Sequence, residues 1–165
     1  MMGIVEIFNT IRDIPYKIPL TLNDAAIDCL GKHRKLLEDL AKAGDQVRLR
    51  KCSFLWSEQN IPKEILDIPH QDECEHLFLE IYLDSQWLVL DATWDIGLKN
   101  IFKINHWDGK SNTEIAVKPI EIYPYVKDIN LSHCESDQAV LEDIRINGDF
   151  YKAFNNWLED NRVGL

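Results

Sequence analysis

The stretch His76-Leu-Phe-Leu-Glu-Ile-Tyr-Leu-Asp-Ser-Gln-Trp-Leu-Val-Leu-Asp-Ala-Thr-Trp-Asp95 decides how this chain folds. Two runs of strand length, 75–83 and 86–93, flank Asp84 and Ser85, a pair suited to a tight hairpin turn. With those two residues as the turn, Leu83 faces Gln86, Phe78 faces Asp91 and His76 faces Thr93. Side chains alternate along a strand, so His76, Phe78, Glu80 and Tyr82 share a face with Trp87, Val89, Asp91 and Thr93. Leu77, Leu79, Ile81, Leu83, Leu88, Leu90 and Ala92 fill the other face, and their uniform apolarity supports the register. His76 and Asp91 then stand diagonally, about 7–8 Å apart at the backbone, a gap that an imidazole and a carboxylate bridge with a hydrogen bond. A three-residue turn would reverse the parity and send the two to opposite faces.

Outward from the hairpin, residues 46–56 alternate like a further strand, and 57–73, with Pro62 and Pro69, read as a long loop. A helix is expected over 4–12 from the spacing of Ile4, Ile7, Phe8 and Ile11, followed by an extended passage imposed by Pro15 and Pro19. From Asn23 to Ala43, Leu22, Ala26, Cys29, His33, Leu36 and Leu40 recur at steps of three and four, with Gly44 placed to end a helix. That helix begins at Asn23 or at Asp28; only the second start puts Cys29 in the first turn, where the helix dipole favours thiolate. A strand at 114–123 and two C-terminal helices, 137–144 and 149–161, complete the reading. Helices, then strands, then helices predict an α+β fold.

The 165 residues are 45% hydrophobic and 10% aromatic, enough for the core of one domain spanning 1–165, and no repeat or linker divides them. A net charge of −10 opposes nucleic acid and anionic membranes as partners. No signal peptide and no run of roughly 18 apolar residues is evident, so a cytoplasmic protein is expected. Cys29, Cys52, Cys74 and Cys134 are too few and too scattered for a disulfide framework and are read as thiols.

A histidine oriented by a carboxylate is the base half of a thiol-nucleophile site. Asp91 would fix the tautomer of His76, and His76 would activate Cys29 for attack on an amide or ester carbonyl through a thioester. The Cys29 backbone N–H is a natural first oxyanion donor, with Tyr16 and Asn23 as positional candidates for a second. Taken singly, each triad member also has a plain reading: Cys29 as core of its helix, His76 and Asp91 as hydrogen-bonded strand-end residues. Trp56, leading into the loop, is the groove candidate, whereas Trp87 and Trp94 are expected in the core. The loop 57–73 is a candidate wall over the site. His70, Asp72, Cys74 and His76 cluster in sequence, yet alternate strand residues point apart and no close cysteine pair accompanies them, so no metal is expected. His33 is expected at a packing surface, and Glu135, Asp137, Glu142, Asp143, Glu159 and Asp160 on solvated helix faces.

The segments Ile11-Arg-Asp-Ile-Pro-Tyr16, Cys29-Leu-Gly-Lys-His-Arg-Lys-Leu-Leu37 and Val47-Arg-Leu49, and above all His76–Tyr82 followed by Trp87-Leu-Val-Leu-Asp-Ala-Thr-Trp-Asp95, resemble the transglutaminase-like superfamily over about residues 11–95. The resemblance implies a papain-like fold in which the nucleophile opens a helix and His and Asp lie on neighbouring antiparallel strands, roles that fall on Cys29, His76 and Asp91. It implies a cofactor-free enzyme acting on a peptide or protein amide by hydrolysis or acyl transfer, or else a catalytically silent domain of the same fold that binds peptides or proteins. This chain departs from many members in having Ile27 and Asp28 before the cysteine; a neighbouring carboxylate raises a thiol pKa, unless it is turned to cap the helix.

Overall fold

The computed structural model describes residues 2–127 and 136–164, which leaves Cys134 and Glu135 outside the described residues. Helix α1 spans Ile4–Arg12, α2 Cys29–Ala43, a single-turn α3 Lys63–Leu66, and α4 Asp137–Asn161; strands β1 (Val47–Leu55), β2 (Glu73–Leu83), β3 (Gln86–Leu90) and β4 (Glu121–Ile122) lie between them. The strands form one antiparallel sheet in the order β3-β2-β1-β4, so the fold is α+β with helices at both ends of the chain. No described helix is long and apolar enough to cross a membrane.

Alternation along β2 and β3 splits the core between the two faces of the sheet. One face carries Leu79, Ile81, Leu88, Leu90 and Ala92 against Ile7, Phe8 and Ile11 of α1 and Leu36 and Leu40 of α2. Leu36 and Leu40 are fully buried, each stabilising the fold by about 2 kcal/mol relative to exposure. The other face carries Cys52, Phe54 and Phe78 beneath Phe150, Tyr151, Phe154 and Leu158 of α4.

The expected hairpin forms with its two-residue turn: Leu83 pairs with Gln86, Ile81 with Leu88 and Leu79 with Leu90. Asp84 and Ser85 both take positive φ, 47° and 68°, the backbone form whose twist matches that of the flanking strands. Helix α2 starts at Cys29, with Asp28 as its N-cap: the Asp28 side chain accepts from the Gly31 N–H at 3.1 Å. At the other end Gly44 adopts φ 97°, which a side chain would oppose.

Four expectations are corrected. The second hairpin strand stops at Leu90 instead of 93, because the Ala92 N–H donates to His33 and leaves the ladder. The strand at 114–123 shrinks to Glu121–Ile122; before it the backbone N–H groups are taken by side chains, Glu114 by Asn105, Ala116 by Asp91 and Lys118 by Gln59, so the ladder with β1 starts only near Ile120 N–H to Ser53 O. The two C-terminal helices are one, for Asn147 and Gly148 stay helical while the Asn147 side chain donates to Asp143 and accepts from the Gln71 N–H. The 57–73 loop is largely turned, with a 3₁₀ turn at Trp56–Glu58 and α3, and it is pinned where Asp72 accepts from the Ser57 N–H and hydroxyl.

Candidate active site

Asp91 follows directly on β3 and is fully buried. Its carboxylate collects four donors. His76 Nε2 and the Ala116 N–H reach Oδ2, both at 2.8 Å, while the Thr93 N–H and hydroxyl reach Oδ1 at 3.0 and 2.6 Å. Burial alone would raise its pKa, but the His76 charge and hydrogen bond, His33 and Thr93 together hold it well below the usual carboxylate range. An ionised Asp91 accepts only, so His76 Nε2 carries the proton and the basic nitrogen is Nδ1. Nδ1 makes no hydrogen bond among the described residues, and His76, itself buried, lines a cleft of about 1090 Å³.

Cys29 lines the same cleft. As the first residue of α2 it has an N–H that no intrahelical carbonyl can reach, since the first helical bond is Lys32 N–H to Asp28 O at 2.9 Å. Ile27, just before the helix, packs close because Gly31 has no side chain: a Cβ there would meet Ile27 Cγ2 at 2.9 Å. The end of β3 supplies a further group. Leu77 is on the side of β2 whose ladder bonds run to β3, and with β3 ended at Leu90 its N–H is directed at the Cys29 sulfur, favouring thiolate. The balance nevertheless goes the other way. Burial pushes the Cys29 thiol well above its ordinary pKa, and Asp28 adds to the rise. Asp28 therefore acts both as helix cap and as the opposing neighbour, and Cys29 rests as the neutral thiol.

Behind this pair lies a buried polar layer. His33 donates from Nδ1 to Cys29 O at 2.8 Å and accepts at Nε2 from the Ala92 N–H at 3.0 Å, so it is neutral, and burial lowers its pKa to about 4. The packing role expected of it is met, and it holds the Cys29 peptide and the residue after Asp91 on one ring. Lys32, fully buried, donates to Arg12 O, Ile14 O and Thr93 O at 2.7, 2.8 and 2.7 Å. An ammonium has three N–H bonds, and three carbonyls receive them; burial lowers its pKa to about 7 against the pull of Asp95, Asp91 and Asp13. Asp95 accepts from the Tyr16 N–H at 2.9 Å and the Gly97 N–H at 3.0 Å, and pairs with Arg162. Sequence reasoning passed over Lys32 and Arg162. A fully buried lysine in an amphipathic helix has no periodic signature, and the Arg162–Asp95 partnership joins residues 67 positions apart.

Of the remaining expectations, Tyr16 and Trp94 are buried, stand edge to face at 4.9 Å and line the cleft. Trp56 also lines it, but its ring is mostly core, enclosed by Phe54, Phe150 and Phe154 at 4.9, 5.2 and 5.3 Å. Asn23 is exposed and away from the cleft, so position in sequence misled there. Trp87 is not core: it sits partly exposed beside Tyr82 with the Arg48 guanidinium 4.0 Å over its ring. Asp143 is exposed as expected, yet it accepts from the Tyr151 hydroxyl at 3.0 Å and reaches the rim of the cleft. The other thiols, Cys52 and Cys74, are both pushed up to about 12, mainly by burial. No three His, Cys, Asp or Glu side chains among the described residues are grouped to hold a metal ion. No protein-family model, curated protein or solved structure matches this chain.

Proposed function

We propose that the cleft is the active site of a transglutaminase-like cysteine enzyme of papain-like fold, acting on a peptide or protein amide through a thioester, with hydrolysis ahead of crosslinking. The single observation that carries this reading is the 2.8 Å bond from His76 Nε2 to a buried, ionised Asp91, which leaves Nδ1 as a base in the cleft that Cys29 lines at a helix N-terminus.

Because burial and Asp28 keep the thiol protonated at rest, His76 works on demand. As a carbonyl approaches, Nδ1 takes the Cys29 proton and the sulfur forms the C–S bond. The carbonyl π pair moves onto oxygen; when it returns, the C–N bond breaks and the imidazolium gives its proton to the leaving amine. Asp91 stabilises the imidazolium between these steps; water, giving a proton to His76, then attacks the thioester, and as the C–S bond breaks the imidazolium returns that proton to the Cys29 sulfur and the acid is released. The raised thiol also favours a second reading, a silent domain of this fold that binds peptides in the cleft.

Acylation by an activated ester separates the two. We expect p-nitrophenyl acetate to place an acetyl group on Cys29, seen by mass mapping, with none at that position in Cys29→Ala and a rate lower by about 10²-fold or more in His76→Ala. An unlabelled Cys29, or equal acylation of wild type and His76→Ala, would establish the binding module instead.

A further inference from the structure

Tyr16 is 5% exposed, and its hydroxyl makes no hydrogen bond among the described residues although its side chain lines the cleft. Buried hydroxyls are ordinarily paired, and a donor left unmet in a cavity points to a partner that arrives with the ligand. The residue is held firmly. Its N–H donates to Asp95 and its C=O accepts from Arg162, while a parallel bridge pairs Tyr16 with Ile27, two residues before the nucleophile, through Lys17 N–H to Ile27 O at 3.1 Å. The ring is braced edge-on by Trp94. The Tyr16 backbone is therefore fixed against the segment leading into α2, and its side chain lines the same cleft as Asp28 and Cys29. Burial above all, with Cys29 and Asp28 nearby, raises the Tyr16 pKa, so the group stays protonated and is a donor throughout the working range.

We infer that Tyr16 is a catalytic residue, its hydroxyl donating, together with the Cys29 N–H, to the oxyanion that forms when the Cys29 sulfur attacks a carbonyl. The inference rests on the cysteine-enzyme reading above and adds the group that stabilises the tetrahedral state. Three other donors that line the cleft are already committed. Trp94 Nε1 donates to Ala116 O, the Thr93 hydroxyl to Asp91 and the Tyr151 hydroxyl to Asp143. No proton is transferred from Tyr16: the oxygen of the substrate gains the carbonyl electron pair, accepts the O–H and N–H hydrogen bonds, and returns the pair when the leaving group departs with the proton from His76.

Two reactions of Cys29 distinguish this role from packing. Acylation by p-nitrophenyl acetate passes through an oxyanion; alkylation by iodoacetamide displaces iodide and forms none. Tyr16→Phe is expected to slow acylation by about 10²-fold and leave the alkylation rate and the melting temperature unchanged. Tyr16→His, which retains a ring with a terminal N–H donor, is expected to recover part of the lost acylation, and it serves the same comparison should Tyr16→Phe fail to fold. Equal acylation of wild type and Tyr16→Phe would overturn the inference while leaving the enzyme reading intact. A parallel fall in acylation and alkylation would make Tyr16 a packing residue and overturn it as well. If wild type takes no acyl group at all, the enzyme reading fails and this inference with it.

Discussion

Asp91 and His33 show how single buried groups tie this site to the stability of the molecule. His33 is held neutral, with a pKa near 4 in the folded chain against about 6.5 when unfolded. Between those values the unfolded state binds more protons, so stability rises with pH across the window and is lost as pH falls from 6.5 towards 4. The full difference is about 3 kcal/mol. Urea unfolding at pH 6.5 and pH 4.5 should show this loss in wild type and a clearly smaller one in His33→Gln. Asp91, whose folded pKa lies below the unfolded value, adds its own loss only at lower pH, as its unfolded carboxyl takes up a proton, so the two contributions separate along the acid limb.

The hairpin is the element most fully written in the sequence. Its alternation placed His76 and Asp91 on one face and the aliphatic residues on the other, and each two-residue step of that pattern reinforced the same register. What alternation does not encode is where a ladder ends: β3 stops at Leu90 because a histidine from another helix captures the Ala92 N–H, a contact 59 residues away in sequence. Helix α4 was divided at Asn147 and Gly148 for a related reason. Its side-chain bonds to Asp143 and Gln71 offset the poor helix propensity there, and only the folded partners reveal them. Trp87 was misplaced because a strand position next to a hairpin turn outruns the core even when its parity is that of buried neighbours. The turn leaves room for improvement. Ser85 at φ 68° bears the cost that a Cβ meets in the left-handed region, so Ser85→Gly is expected to raise the unfolding free energy by about 1 kcal/mol, read as a higher urea midpoint at constant slope.

At the scale of the whole molecule, the residues after α4 close onto the Tyr16 passage and the turn after Asp95. Arg162 pairs with Asp95 and donates to Tyr16 O at 3.1 Å, and the Val163 N–H donates to Gly97 O at 2.9 Å. Arg162→Met removes the partner of a buried carboxylate, which costs more than the pair itself contributes. We expect it to lower the melting temperature and to speed amide exchange at Tyr16 and Gly97, while the His76–Asp91 hairpin keeps its protection; uniform loss of protection would show that the closure is not separable from the sheet.

The separation of those parts also sets an order of assembly. His76 and Asp91 are joined across a hairpin only 15 positions apart, whereas the tie that fixes the Tyr16 passage spans 146. Short loops close early and long ones late. A nascent chain leaving a ribosome thus pairs His76 with Asp91 before α4 has covered the opposite face, and the Tyr16 side of the cleft is fixed only once Arg162 has emerged.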